Sequence, residues 1–235
     1  MPLNERLFKI SEAELLEFAE TTTDFLTTDL MDFSTFDSTI TENYVLQIRQ
    51  SIEQVKSIKS DQVVIDEMAE LTQEVKNAMN DCNSAYKSIA FFVKKAFAEN
   101  QAVQNQFGFN DYRNVNSSQP KFILFMEQLA ITVNKYKAEL IAEGCKEELI
   151  NSLSGKAEDF KNADIAQEKF KKERVLITQE RTRILNKIYS FLKPLNDIAL
   201  IIYSDNQAQM NKYIMSAPSG VSVVAKDVSG EDVQR

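Results

Sequence analysis

Apolar residues recur along the chain in long helical stripes. In the clearest one they alternate at steps of four and three through ten positions, which is a heptad seam and predicts a helix over 61–97, called helix C. The same frame recurs 106 residues later, and only Arg174 and Arg181 interrupt it. Both seams predict packed faces, with Leu71 and Ile188 buried. The pattern therefore predicts an all-α protein with long helices.

Shorter stripes and capping residues predict the other helices. Ser11 and Glu14 form a capping box at the start of the first helix, and Gly144 is suited to end a later one. Ser154-Gly155 is expected to interrupt helix B′, and Pro194 is expected to kink helix C′. The predicted helices are A (12–33), B (39–58), C (61–97), A′ (119–143), B′ (146–172) and C′ (178–203), with short helices at 100–107 and 206–214.

The chain repeats itself at a spacing of 106 residues. Between 71–107 and 177–213, 10 of 37 aligned pairs are identical. Repeated helical units stack because neither buries its apolar face alone. We therefore predict two tandem antiparallel units, 1–110 and 111–215, each of three helices followed by a short one. The tail, 216–235, lacks helical periodicity and is expected to be flexible.

Composition removes much catalytic chemistry. Histidine is absent, so histidine-dependent triads, histidine-ligated zinc and Glu-x-x-His di-iron sites cannot form. Cys82 and Cys145 are isolated in the sequence, and Cys82 lies on the apolar seam, as a small core residue does. The sequence has no glycine-rich phosphate loop and no nucleophile elbow. We predict no catalytic residues, no cofactor and no metal.

Charge is unevenly distributed. The net charge of −8 disfavours nucleic-acid binding. Residues 1–60 carry a net charge of −6, and residues 169–193 carry +6. The basic stretch is either a docking surface, for a protein partner or a second copy, or a solvated face that complements the acidic N-terminal helix. The candidate contacts for an anion or a partner are Arg174, Arg181, Lys171 and Lys172.

The repeated short helices carry a second candidate site. Asn100, Gln101, Asn206 and Gln207 could bind a ligand, or they could be capping and turn residues that both copies need. The capping interpretation is favoured, because asparagine is a common helix-capping residue.

The function that these patterns favour is a non-catalytic structural or protein-interaction bundle. One alternative is a membrane-acting protein of the pore-forming-toxin type, with Ile89–Phe97 and Ile198–Tyr203 as its only short apolar candidates. The other is an enzyme with an unrecognised carboxylate or lysine site. Because no window approaches 18 apolar residues and the N-terminus has no secretory apolar region, we expect a cytoplasmic protein without stable membrane insertion.

Three segments, Asn100–Tyr112, Ser118–Gly144 and Leu176–Tyr189, resemble those of uncharacterised all-helical proteins of Bacteroidetes. That resemblance implies a helical fold and no assigned activity. The 106-residue period is also similar to that of spectrin-type three-helix repeats. This chain has no tryptophan, which those repeats usually carry, so the second likeness concerns architecture alone.

Overall fold

The computed structural model describes residues 5–215, which form helices and no strand. The predicted all-α class is therefore confirmed. The helices are α1 (Glu12–Phe36), α2 (Glu42–Ser57), α3 (Asp61–Ala96), α4 (Gln101–Gln106), α5 (Tyr112–Val115), α6 (Gln119–Lys135), α7 (Lys137–Ala142), α8 (Glu147–Ile202) and α9 (Gln207–Met210).

Local capping determines where several helices begin and end. Ser11 accepts a hydrogen bond from the Glu14 backbone N–H, and the Glu14 carboxylate accepts one from the Ser11 N–H at 2.7 Å, which completes the predicted capping box. Ser60 caps α3 through the backbone N–H of Val63. Gly144 follows α7 with φ +93°, a left-handed conformation that favours glycine at a helix end.

Helices B′ and C′ are one continuous helix, contrary to the predicted break. The 56-residue α8 runs through Ser154-Gly155 and continues past Pro194. A glycine inside a helix lowers helix stability by only about 1 kcal/mol relative to alanine. The buried residues before and after Gly155, among them Leu153 and Ala157, outweigh this cost. Helix A′ is instead divided at Tyr136, whose φ of −108° and ψ of 24° separate α6 from α7. The predicted polar linker also contains a helical turn, α5.

The chain forms two compact bundles. The terminal bundle combines residues 1–59 with 177–235, of which 5–59 and 177–215 are described. Its core is formed by α1, α2, the last part of α8 and the segment around α9. Phe33, Tyr203 and Tyr213 join the C-terminal end of α1 to the end of α8, with the Phe33 and Tyr213 ring centroids 4.6 Å apart.

The central bundle comprises residues 60–176. Its core is formed by α3, α4, α6, α7 and the first part of α8. Phe122 of α6 packs against Phe160 of α8, with ring centroids 5.8 Å apart, and both side chains are fully buried.

This division does not follow the tandem boundary at residue 110, because each bundle draws helices from both sides of that position. Ile188 is fully buried, as predicted, whereas Leu71 is only half-buried. The tail whose flexibility was predicted, 216–235, lies outside the described residues.

Candidate functional site

Arg181 occupies an apolar seam position because it satisfies polar groups inside the terminal bundle. Its Nη1 donates to the carbonyl oxygens of Val55 and Ile58, each at 2.9 Å. Its Nε donates to Glu12 Oε2 at 2.8 Å, and the arginine side chain is only 9% exposed. Carbonyls at a helix C-terminus lack partners in a following turn and favour a cation. Arg181 is therefore engaged within the bundle, where it ties α8 to α1 and α2.

The other three candidate contacts lie on the part of α8 that belongs to the central bundle. Lys171 Nζ donates to Glu168 Oε1 at 2.5 Å, while Lys172 and Arg174 are exposed. The structure therefore does not gather the four candidates into one anion site, since Arg181 is internal to the terminal bundle.

The repeated asparagines act as helix caps. Asn100 accepts a hydrogen bond from the third backbone N–H of α4 at 3.1 Å, and Asn206 does the same for α9 at 3.2 Å. Gln101 and Gln207 each donate to the asparagine four residues later, at 3.0 and 2.7 Å. These bonds occupy all four side chains locally, as the capping interpretation predicts.

A groove of about 420 Å³ separates α1 and α2 in the terminal bundle. Thr23 and Ile52 are buried at its base. Lys56 reaches across it, with Nζ 2.6 Å from Glu20 Oε1 and 3.4 Å from Glu53 Oε1. The hydrogen bond that Lys56 donates to Glu20 raises the pKa of Lys56, so the ammonium stays charged. We call this surface the terminal groove.

Arg49 and Asp24 continue the charged lining of the terminal groove. Arg49 Nη2 lies 2.9 Å from Asp24 Oδ1 and 3.2 Å from Thr27 Oγ1. Two cations thus bridge the groove, each facing a carboxylate on the opposite helix.

A groove of about 470 Å³, here called the central groove, separates α6 from α8 in the central bundle. Ala130 and Ala157 line it, and both are buried. Lys161 Nζ crosses it to Glu127 Oε1 at 2.8 Å, and Glu158 is also on the lining. The hydrogen bond that Lys161 donates to Glu127 raises the pKa of Lys161, which keeps this ammonium charged too.

The two grooves carry the same three charged residues in the same arrangement. Glu20 and Glu127 are 107 residues apart, while the lysines and the second glutamates are each 105 apart. At these spacings α1 and α2 share five identical pairs with 119–143 and 147–162, and three of the five line the grooves. The matching pairs are Glu20 with Glu127, Glu53 with Glu158, and Lys56 with Lys161.

Sequence reasoning missed both grooves because it used a single gapless spacing. At 106 residues Glu20 aligns with Met126, and Lys56 aligns with Asn162. A comparison that allowed the 106-residue spacing to lengthen by one residue in helix A and to shorten by one residue in helix B would have found the shared charges.

The comparisons were made with family models, with curated proteins and with solved structures. None of them matches this chain.

A cluster of tyrosine and aspartate side chains joins α9 to α1 in the terminal bundle. Tyr213 Oη donates to Asp29 Oδ2 at 2.9 Å, and Lys212 Nζ lies 3.2 Å from the same oxygen. Tyr203 Oη donates to Asp32 Oδ2 at 2.8 Å. Burial, then the hydrogen bond to aspartate, raises the pKa of both tyrosines well above the usual range. Protonated phenols that donate to carboxylates anchor helices and do not act as bases.

Tyr213→Phe is expected to lower the free energy of unfolding at pH 7 by about 1–3 kcal/mol, because it removes a donor from a nearly buried carboxylate. Because folding raises the pKa of Tyr213, its protonated phenol contributes stability that is fully present below pH 10.0, the ordinary pKa of tyrosine. This contribution is lost as the pH rises above that value. The difference between wild type and variant should therefore narrow above pH 10. Urea unfolding of wild type and variant at pH 7 and at pH 10.5 measures the loss at neutral pH and its decrease at high pH. The same difference in unfolding free energy at both pH values would contradict this account.

Three further features of residues 5–215 bear on function: their potential metal ligands, their thiols and the apolar length of their helices. No three His, Cys, Asp or Glu side chains in this range could hold a metal ion together. Burial raises the pKa of the Cys82 thiol to about 11 and also raises that of Cys145. None of the helices described is long and apolar enough to cross a membrane.

Proposed function

We propose that the chain is a non-catalytic, protein-binding helical module, built by duplication, that carries one binding groove on each copy. The recurrence of the Glu–Lys–Glu arrangement in the terminal and central grooves carries this proposal. The two copies differ at most other positions of these helices, so the shared groove residues stand out.

Burial patterns support the duplication in helices A and B. Six buried positions of α1 correspond, 107 residues later, to six buried positions of α6 and α7. Four buried positions of α2 correspond, 105 residues later, to four buried positions of α8. The α1 positions are Leu15, Ala19, Thr22, Thr23, Leu26 and Phe33, and the α2 positions are Val45, Ile48, Ile52 and Val55.

The burial pattern of helix C also supports the duplication, at the 106-residue spacing. Five of the seven buried residues of α3 correspond to buried residues of α8, and the sole polar replacement among these five pairs is Arg181, which corresponds to Val75. The α3 residues are Val75, Cys82, Tyr86, Ile89 and Val93, which correspond to Arg181, Ile188, Leu192, Leu195 and Ala199.

The copies are interleaved in this proposal. Helices A and B of copy 1 (α1 and α2) pack with helix C and the short helix of copy 2. Helices A and B of copy 2 pack with α3 and α4 of copy 1. Each bundle is thus a complete set of A, B, C and short helix, assembled from both copies.

Binding explains why the groove charges are shared. The Glu20–Lys56 and Glu127–Lys161 pairs lie at the surface, where ion pairs contribute little to stability. A fold that needed only packing would not favour the same surface charges in both copies. Grooves between paired helices accept a helix or an extended segment of another protein, and charged linings select its sequence.

The ionisation states of the reactive groups also favour binding over catalysis. The Cys82 thiol, with its pKa raised to about 11, stays protonated and is a poor nucleophile at neutral pH. The groove lysines have raised pKa values, whereas a catalytic lysine needs a lowered one.

Affinity capture from the source cells tests this function with paired variants. Glu20→Ala with Lys56→Ala removes the terminal-groove pair, and Glu127→Ala with Lys161→Ala removes the central one. Because each variant removes both charges of a surface pair, the fold should be retained, which circular dichroism checks. We expect each variant to reduce the amount of a partner protein that the wild type captures.

The matched control is Glu180→Ala with Arg183→Ala, an exposed ion pair on α8 that lines neither groove. It should capture the partner as the wild type does. Equal capture by all four proteins, or no captured partner at all, would reject binding through the grooves.

A further inference from the structure

We propose that the terminal groove binds a second copy of this chain through an exposed stripe on α8, so that the protein assembles head to tail. The inference rests on the proposed function, because it names one partner of the terminal groove. The stripe consists of Ile165, Lys169, Lys172 and Leu176, and we call it the α8 stripe.

An apolar pocket extends the terminal groove toward the C-terminal end of α1. It has a volume of about 300 Å³ and is lined by Leu30, Val45 and Leu46, with Arg49 shared between pocket and groove. Leu46 is 50% exposed although it faces this pocket. A pocket of this kind takes one aliphatic side chain from a partner.

The corresponding place in the central bundle is polar and is bridged by an ion pair. Leu30 corresponds to Lys137 at the 107-residue spacing, and Leu46 corresponds to Asn151 at the 105-residue spacing. Lys137 Nζ lies 2.5 Å from Glu147 Oε1 and 3.4 Å from Asn151 Oδ1, so an ion pair spans the two helices there. The apolar lining formed by Leu30 and Leu46 is therefore particular to the terminal bundle, because Lys137 and Asn151 stand at the corresponding positions of the central bundle.

The α8 stripe supplies the matching ligand surface. Its members are spaced by four, three and four residues, which places them on one helix face, and all four are exposed. Ile165 is 54% exposed and Leu176 is 66% exposed, so the stripe has an apolar residue at each end and two lysines between them. A helix that docks in a groove uses aliphatic anchors spaced along one face, and Ile165 and Leu176 are placed as such anchors.

The terminal groove and the α8 stripe are complementary in charge and similar in length. The groove and its pocket are lined by four acidic and two basic residues, a net charge of −2. Residues 165–176 carry four basic and two acidic side chains, a net charge of +2. From Glu20 to Leu30 the groove spans about 15 Å along α1, and the stripe spans about 16 Å along α8. Leu176 would enter the apolar pocket while Lys169 and Lys172 face the carboxylates.

Because the groove and the stripe are different surfaces, the contact is heterologous and leaves one of each free on the end copies. Sedimentation velocity over a range of protein concentrations should therefore show average mass rising with concentration. Raising NaCl from 0.05 M to 0.5 M should weaken association roughly tenfold, since the facing charges are then screened.

Two variants remove one surface each. Leu46→Lys places a cation in the pocket, and Lys169→Glu with Lys172→Glu reverses the stripe. Each variant alone should be monomeric, whereas an equimolar mixture should form 1:1 dimers and nothing larger, because each variant still offers the surface that the other needs. Leu46→Asn, the residue of the central bundle, is the milder second variant. Leu124→Lys, at another exposed leucine, is the matched control and should assemble like the wild type.

A wild type that remains monomeric at every concentration and salt would overturn the inference, as would a mixture that stays monomeric or grows beyond dimers. This failure is separable from that of the proposed function. Self-association depends on Leu46 and the α8 stripe, while capture of a different protein depends on the Glu–Lys pairs of both grooves.

Discussion

Arg181→Met is expected to lower the free energy of unfolding by about 3–5 kcal/mol, the usual cost of removing one partner from a buried ion pair. The substitution leaves Glu12 without its inner partner and leaves the carbonyls of Val55 and Ile58 without their donor. Methionine keeps most of the volume and the apolar contacts of the arginine stem. The decrease in unfolding free energy is therefore due to the lost polar contacts. Urea unfolding at pH 7 measures it.

Arg183→Met is the control for this change. Arg183 pairs with Glu180 on the same helix, at 2.7 Å, but its side chain is 52% exposed. Exposed pairs of this kind contribute at most about 1 kcal/mol, so this variant should unfold close to the wild type. If both arginines gave the same small loss, Arg181 would not hold α8 to α1 and α2.

Leu195→Ala and Ile89→Ala are each expected to cost about 2–5 kcal/mol, by lost burial and by the cavity left behind. Both side chains are 0% exposed, and they lie 106 residues apart, at corresponding positions of the sequence repeat. Thermal or urea unfolding measures the loss. A loss below about 1 kcal/mol at either site would show that the seam is not a core contact there.

Much of the secondary structure could be predicted because its causes are local. The capping box at Ser11 and the glycine at Gly144 fix helix ends through a few neighbouring residues. The continuity of α8 could not be predicted, because its exposed middle around Lys172 lacks the apolar periodicity of a buried helix. Packing of α8 in both bundles maintains the helix through this stretch.

The pairing of helices could not be predicted, because it depends on which of α3 and α8 packs against α1 and α2. The apolar seams of α3 and α8 are alike, so either would fit against α1 and α2 by pattern alone. The residue that distinguishes the two seams is Arg181, which interrupts the apolar seam of α8. Its guanidinium matches Glu12 and the C-terminal carbonyls of α2, whereas Val75 occupies the corresponding place in α3.

Hydrogen exchange of the full chain, read by mass spectrometry for Leu195→Ala and Ile89→Ala, tests the interleaved assembly most directly. The account predicts that Leu195→Ala increases exchange in α1 and α2 and spares α6, while Ile89→Ala increases exchange in α6 and spares α1 and α2. Tandem units that each keep their own helix C predict the reverse. Faster exchange of α6 in Leu195→Ala, with α1 unchanged, would contradict the account.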